Sequence, residues 1–137
     1  MDTSAWLAYM QPEEHRHKEV KKILTGFLKD CSVLCLSSDN TNEIITRLVY
    51  NIKKSLVNKF IRYLDEAKKE GSVKEFWVDE SLRSDGINLV NKYFEHQLSL
   101  TDATSLAVMK RYNIKTIVSL DSDFKKVGAH TLPLGSH

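Results

Sequence analysis

Five carboxylates stand where they could hold a hard metal ion. Asp2 precedes Thr3-Ser4, Glu43 sits in an Asn-Glu-Ile-Ile stretch, Asp102 follows Leu100-Thr101, and Asp121 and Asp123 flank Ser122 ahead of Phe124. Acids gathered in one cleft repel one another and raise each other's pKa unless a cation joins them. Oxygen ligands alone suit Mg2+ or Mn2+ better than zinc. Such an acidic pocket with one or two ions is the apparatus of phosphodiester hydrolysis: one ion helps generate hydroxide, and the other stabilises charge on the leaving oxygen. Taken singly, each acid has a plainer role. Glu43 and Asp102 suit the first turn of a helix as caps or partners of its dipole. Asp121 and Asp123 suit a turn. Only their joint placement speaks for a metal.

That placement depends on the elements between them. Ser4 is a plausible cap for a first helix carrying Leu7 and Ala8. After Pro12, residues 13–29 space Val20, Ile23, Leu24, Phe27 and Leu28 at helical intervals. Val33 to Leu36 is a continuous apolar run of strand length, the form of a strand covered on both faces. The polar cluster 37–42 is rich in capping residues, and Ile44, Ile45, Leu48, Val49 and Ile52 then restart the helical period. A helix is expected over 56–70, stopped by Gly71, and a strand over 73–78. Residues 81–97 read as a helix with Ile87, Val90 and Phe94 inward. Thr101 is expected to cap a further helix that buries Ala103, Leu106, Ala107 and Met109 and ends near Asn113. A strand follows over 114–120, then a short turn at Asp123-Phe124, and an edge strand over 130–134 that tolerates Pro133. Strands alternating with helices imply an α/β fold, a parallel sheet with helices on both faces. Ligands of such sheets bind at the carboxyl ends of the strands. Asp2, Glu43, Asp102, Asp121 and Asp123 all fall at that edge.

At 137 residues, with 42% apolar and 28% charged residues, the chain has the profile of one globular domain spanning 1–137. It shows no apolar run of membrane-spanning length and no leader-like opening, so a cytoplasmic protein is expected. The net charge of +2 is mild. Setting aside the five acids named above leaves 13 of the 18 carboxylates against 20 cations, a surplus of seven. A negative pocket in a positive surround suits a polyanion held through its phosphates. Arg47, Lys110, Arg111, Lys125 and Lys126 are the candidates to line its approach, with Arg47 best placed, one helical turn past Glu43. An ion pair between Arg47 and Glu43 is the equal alternative. Ser4 and Thr101 hydroxyls could orient a carboxylate or a water, with capping the simpler role for Thr101. Cys31 and Cys35 match neither a zinc site nor a redox pair and read as reduced thiols. His15 and His17 do not face one way on a helix and read as surface. Trp6 and Trp77 read as core rather than as platforms for stacking bases.

The same residues carry a resemblance. Asp2-Thr3-Ser4-Ala5-Trp6-Leu7-Ala8, Glu43 at its helix start, Leu98-Ser99-Leu100-Thr101-Asp102-Ala103 and Val118-Ser119-Leu120-Asp121-Ser122-Asp123-Phe124 together resemble the PIN domain. The VapC-type toxin ribonucleases of toxin–antitoxin operons are especially similar. Order and spacing agree over nearly the whole chain. The resemblance implies a three-layer α/β/α sandwich with a central parallel sheet of four to five strands. It implies an RNase dependent on Mg2+ or Mn2+, with Asp2, Glu43, Asp102 and Asp121 as the four acids and Asp123 as an accessory. It also implies RNA as substrate, a cognate antitoxin that inserts a segment into the acidic pocket, and a homodimer, for which the apolar face of the 56–64 helix is a candidate surface. The family has three to five apolar residues of a first, central strand before its first acid, where this chain reads Met1-Asp2. Residues 37–42 are more polar than is usual in the family, which makes Asp39 a rival for the pocket.

Two other readings compete. One is a PIN-like domain with a degraded site that binds RNA or acts as a scaffold, which the missing strand motivates. The other is a receiver-type or phosphoryl-transfer domain, disfavoured because no Asp pair follows the first full strand.

Overall fold

The computed structural model describes residues 1–30 and 32–133. The chain opens with helix α1 (Thr3–Met10), a turn through Pro12, and helix α2 (His17–Lys29). Strand β1 (Leu34–Ser37) leads into helix α3 (Ser38–Tyr50), and helix α4 (Lys54–Glu70) into strand β2 (Val73–Phe76). Helix α5 (Glu80–Lys92), a 3-10 turn (Phe94–His96) and helix α6 (Leu100–Arg111) follow. Strand β3 (Thr116–Val118), helix α7 (Asp123–Lys126) and strand β4 (His130–Leu132) complete the described residues. Cys31 and Leu134, both expected in particular roles, lie outside them. No helix among the described residues is long and apolar enough to cross a membrane.

Among the described residues the strands form two parallel pairs, β1 with β2 and β3 with β4, the α/β arrangement expected, with the pairs not joined by a strand ladder. The first two residues of the chain join the pairs. The Met1 amine donates to the Cys35 carbonyl, and the Asp2 N–H donates to the Val118 carbonyl at 2.9 Å. Met1 and Asp2 thus stand between β1 and β3 and link the two pairs. A groove of about 260 Å³, lined by Met1, Phe27, Cys35, Ile114 and Thr116 among others, lies beside them.

One core lies on the α1, α2, α3 and α4 side, built from Trp6, Val20, Leu24, Ile44, Leu48, Phe60 and Leu64. A second, smaller cluster of Phe76, Leu82, Ala107 and Val108 lies under α5 and α6. Because Phe60 and Leu64 belong to the chain's own core, the face of α4 expected to receive a second copy is already covered.

Local chemistry sets the element ends. Ser37 and Asn40 form a reciprocal capping box at α3, and Gly71 closes α4 in the left-handed region at φ 82°. Four sequence-based assignments change. Ser99, not Thr101, caps α6 by accepting from the Asp102 N–H. Ser4 caps nothing; Asp2 holds the N-cap position of α1, and Ser4 is a residue of that helix. Helix α2 begins four residues later than expected, beyond a turn closed by Glu14 N–H to the Gln11 carbonyl. Helix α5 stops at Lys92 and does not turn Ile87 and Phe94 inward; both are exposed, and Leu82 and Gly86 face the core instead. The reason is Gly86, which lets α5 approach α6 so closely that a Cβ there would stand 2.7 Å from Thr104 Cγ2.

Candidate active site

The site begins at Asp2, which is 3% exposed. Its Oδ2 accepts from the Ser4 hydroxyl at 2.9 Å and from the Ser119 hydroxyl at 2.8 Å. Each serine also fixes the loop after β3. Ser4 Oγ accepts from the Leu120 N–H, and Ser119 Oγ from the Asp121 N–H, both at 3.0 Å. Asp121 Oδ1 in turn accepts from the Asp123 N–H at 3.0 Å. One ladder of short-range bonds therefore ties Asp2, Asp121 and Asp123 into fixed positions.

Helix α6 adds the fourth carboxylate. Ser99 sets its first turn, so Asp102 projects over the loop after β3. Asp102, Asp121 and Asp123 each offer an oxygen within 4.8 Å of the others. Burial pushes the Asp102 carboxyl up to about 7, and the negative charges of Asp2, Asp121 and Asp123 push in the same direction. Oxygen ligands at this spacing could hold a divalent ion. Lys126 reaches Asp123 Oδ1 from the last turn of α7 at 3.5 Å, on the exposed side. Lys125 precedes it in the same turn.

Not every expected residue arrives. Glu43 stands in α3 and pairs with Arg47 at 3.4 Å, outside the group of three. Asp39 accepts from the Thr104 hydroxyl at 2.8 Å and so ties α3 to α6. Thr101 contributes its carbonyl, which accepts from Thr104 and Ser105 hydroxyls. Lys110 and Arg111 sit at the far end of α6, roughly 12 Å of helix beyond Asp102. Arg111 is engaged there with Ser81 and Asp85.

Sequence reasoning overlooked the residues that align these elements. Asn40 is buried, and its Oδ1 accepts from the Ser37 and Ser105 hydroxyls, both at 3.0 Å, while its Nδ2 donates to Thr3 Oγ1 at 3.1 Å. One amide thus connects the segment after Asp2, the start of α3 and the helix that carries Asp102. Ser119, fully buried, is the other omission. A polar residue inside a predicted strand end was the available signal for Ser119. For Asn40 the signal was an Asn three residues past a Ser at a helix start.

A profile of the PIN domain family matches residues 1–130, and the chain belongs to that family. The fold is similar to that of VapC20, a sarcin-ricin loop cleaving toxin of Mycobacterium tuberculosis, with a TM-score of 0.77 over 93% of each chain and 23% identity. No curated protein matches this sequence.

Proposed function

We propose that this chain is a metal-dependent endoribonuclease of the VapC kind, the toxin of a toxin–antitoxin pair. The observation that carries the proposal is the trio Asp102, Asp121 and Asp123, converging within 4.8 Å beside a buried Asp2. Membership of the PIN family and likeness to a toxin that cleaves RNA support the same reading. The donor set is all carboxylate, and Asp102 gives up its proton only near neutrality without a cation, so the residues fit Mg2+ or Mn2+. When bound, such an ion supplies an acidified water and charge stabilisation at the phosphodiester. Asp102, Asp121 and Asp123 would hold it, and Asp2, oriented by two serine hydroxyls, would complete the negative pocket. Glu43 joins as the fourth acid if substrate draws Arg47 away to a phosphate. The products are 5′-phosphate and 3′-hydroxyl ends, and no side chain acts as a nucleophile.

The partners that go with this reading are single-stranded RNA, a cognate antitoxin offering an Arg to the carboxylates, and a second copy of the chain in the cytoplasm. The test is direct. Purified protein with Mn2+ cuts single-stranded RNA, and Asp102→Asn lowers the rate at least about a hundredfold. RNA left intact by the parent, or cut equally well by the variant, contradicts the proposal.

A further inference from the structure

Trp77 lies at the carboxyl end of β2 and is 73% exposed, whereas Trp6, the other tryptophan of the chain, is fully buried. The core role expected for Trp77 from the sequence is therefore excluded, and an indole left in water needs another explanation. Its position is fixed by its neighbours. The next residue, Val78, donates its N–H to Ser38 Oγ at 2.9 Å, which pins this turn to the start of α3. Asp39, beside Ser38, reaches Thr104 two residues past Asp102. Trp77 thus shares the strand edge that carries the acids. On its other side the turn meets the last residues of α6, where Phe76 packs on Tyr112 and Asp79 faces Arg111, so Trp77 stands at the outer rim of that edge.

We propose that Trp77 is a stacking platform for a nucleobase of single-stranded RNA, one or two nucleotides from the bond that is cut. The inference rests on the nuclease reading above and extends it to a subsite. A base presents a π face to an indole whatever its identity, so the platform adds affinity and not sequence preference. The charges nearby permit this approach. Glu75 is matched by Lys68 at 2.8 Å, and Arg111 lies 3.8 Å from Asp79. The surroundings also disfavour a protein partner. Lys74, Asp79, Glu80 and Ser81 are the exposed residues nearest Trp77 in the chain, so its sequence neighbours are polar or charged.

Two tryptophans, one buried and one exposed, make the test optical. A single-stranded RNA octamer is titrated into the protein without divalent ions, with binding followed by anisotropy of a label on the RNA. Trp77 emission should be quenched in step with binding. Trp77→Phe should keep most of the affinity, and Trp77→Leu should lose roughly fivefold or more, with KM for cleavage rising more than kcat falls. Because Trp77 is exposed, both variants should melt with the parent. Binding without quenching, or Trp77→Leu binding as tightly as the parent, overturns the platform and leaves the nuclease standing. Emission that changes on concentrating the protein alone makes Trp77 a contact between copies and likewise overturns it. Absence of any RNA binding together with absence of cleavage removes both readings.

Discussion

Asp102, proposed as a metal ligand, also carries a stability penalty. Its carboxyl ionises near 7 in the folded chain against 3.8 for the ordinary group. Between those values the folded protein holds a proton that the unfolded chain releases, so without metal, stability falls as pH rises from about 4 to about 7. Asp102→Asn removes the ionisation, and the metal-free variant should melt above the parent at pH 8, a difference that shrinks below pH 5. A divalent ion reverses the trend, because it displaces the same proton. Mn2+ affinity should climb about tenfold per pH unit below 7 and level off above it, as calorimetry at several pH values would show. Asp102, Asp121 and Asp123 were legible in the sequence because each sits where a strand ends or a helix begins. Ser119 and Asn40 carried only a local polar signal, and their linking roles were not legible because the partners lie 117 and 65 residues away.

Among the elements, the α5–α6 pair decides where Asp102 stands. Gly86 permits the close crossing, and Thr104 is held on the other side by bonds to Asp39 and the Thr101 carbonyl. Gly86→Ala should destabilise by about 1–2 kcal/mol in urea unfolding, since overpacking outweighs the gain in helix propensity. It should also lower cleavage, because relief requires Thr104 to move. Asn40→Ala takes away the amide that donates to the buried Thr3 hydroxyl and breaks the capping box of α3, while Ser105 keeps the Thr101 carbonyl; it should cost about 1–3 kcal/mol, with Mn2+ bound about tenfold more weakly. The helices and strands themselves were mostly legible from apolar spacing. The inward face of α5 was misread because its contact is a bare backbone: Gly86 has no side chain for a hydrophobic pattern to register, and Ile87 and Phe94 stood in for it.

At the scale of the molecule, the parallel pairing of strands followed from the alternation of elements. The division into two strand pairs did not, because it depends on Met1 and Asp2 bridging Cys35 and Val118, a contact that no periodicity encodes. The site these pairs share is negative while the remaining chain is positive, so RNA binding should weaken with salt along a log–log slope of about −2, as counterion release from about three contacted phosphates would give. A slope near zero would place recognition elsewhere. With Phe60 and Leu64 of α4 in the core, the run of exposed Val49, Tyr50 and Ile52 at the end of α3 is the surface proposed for a second copy. Sedimentation should find a dimer that Ile52→Asp dissociates.

The decisive measurement is Mn2+ titration by calorimetry at pH 8, into the parent and into Asp102→Asn. Uptake by the parent and at least tenfold weaker uptake by the variant is the expected result. A parent chain that takes up no Mn2+, or a variant that binds it as well, would mean that the carboxylates of α6 and the loop after β3 do not hold a metal, and the proposed nuclease chemistry would fail with them.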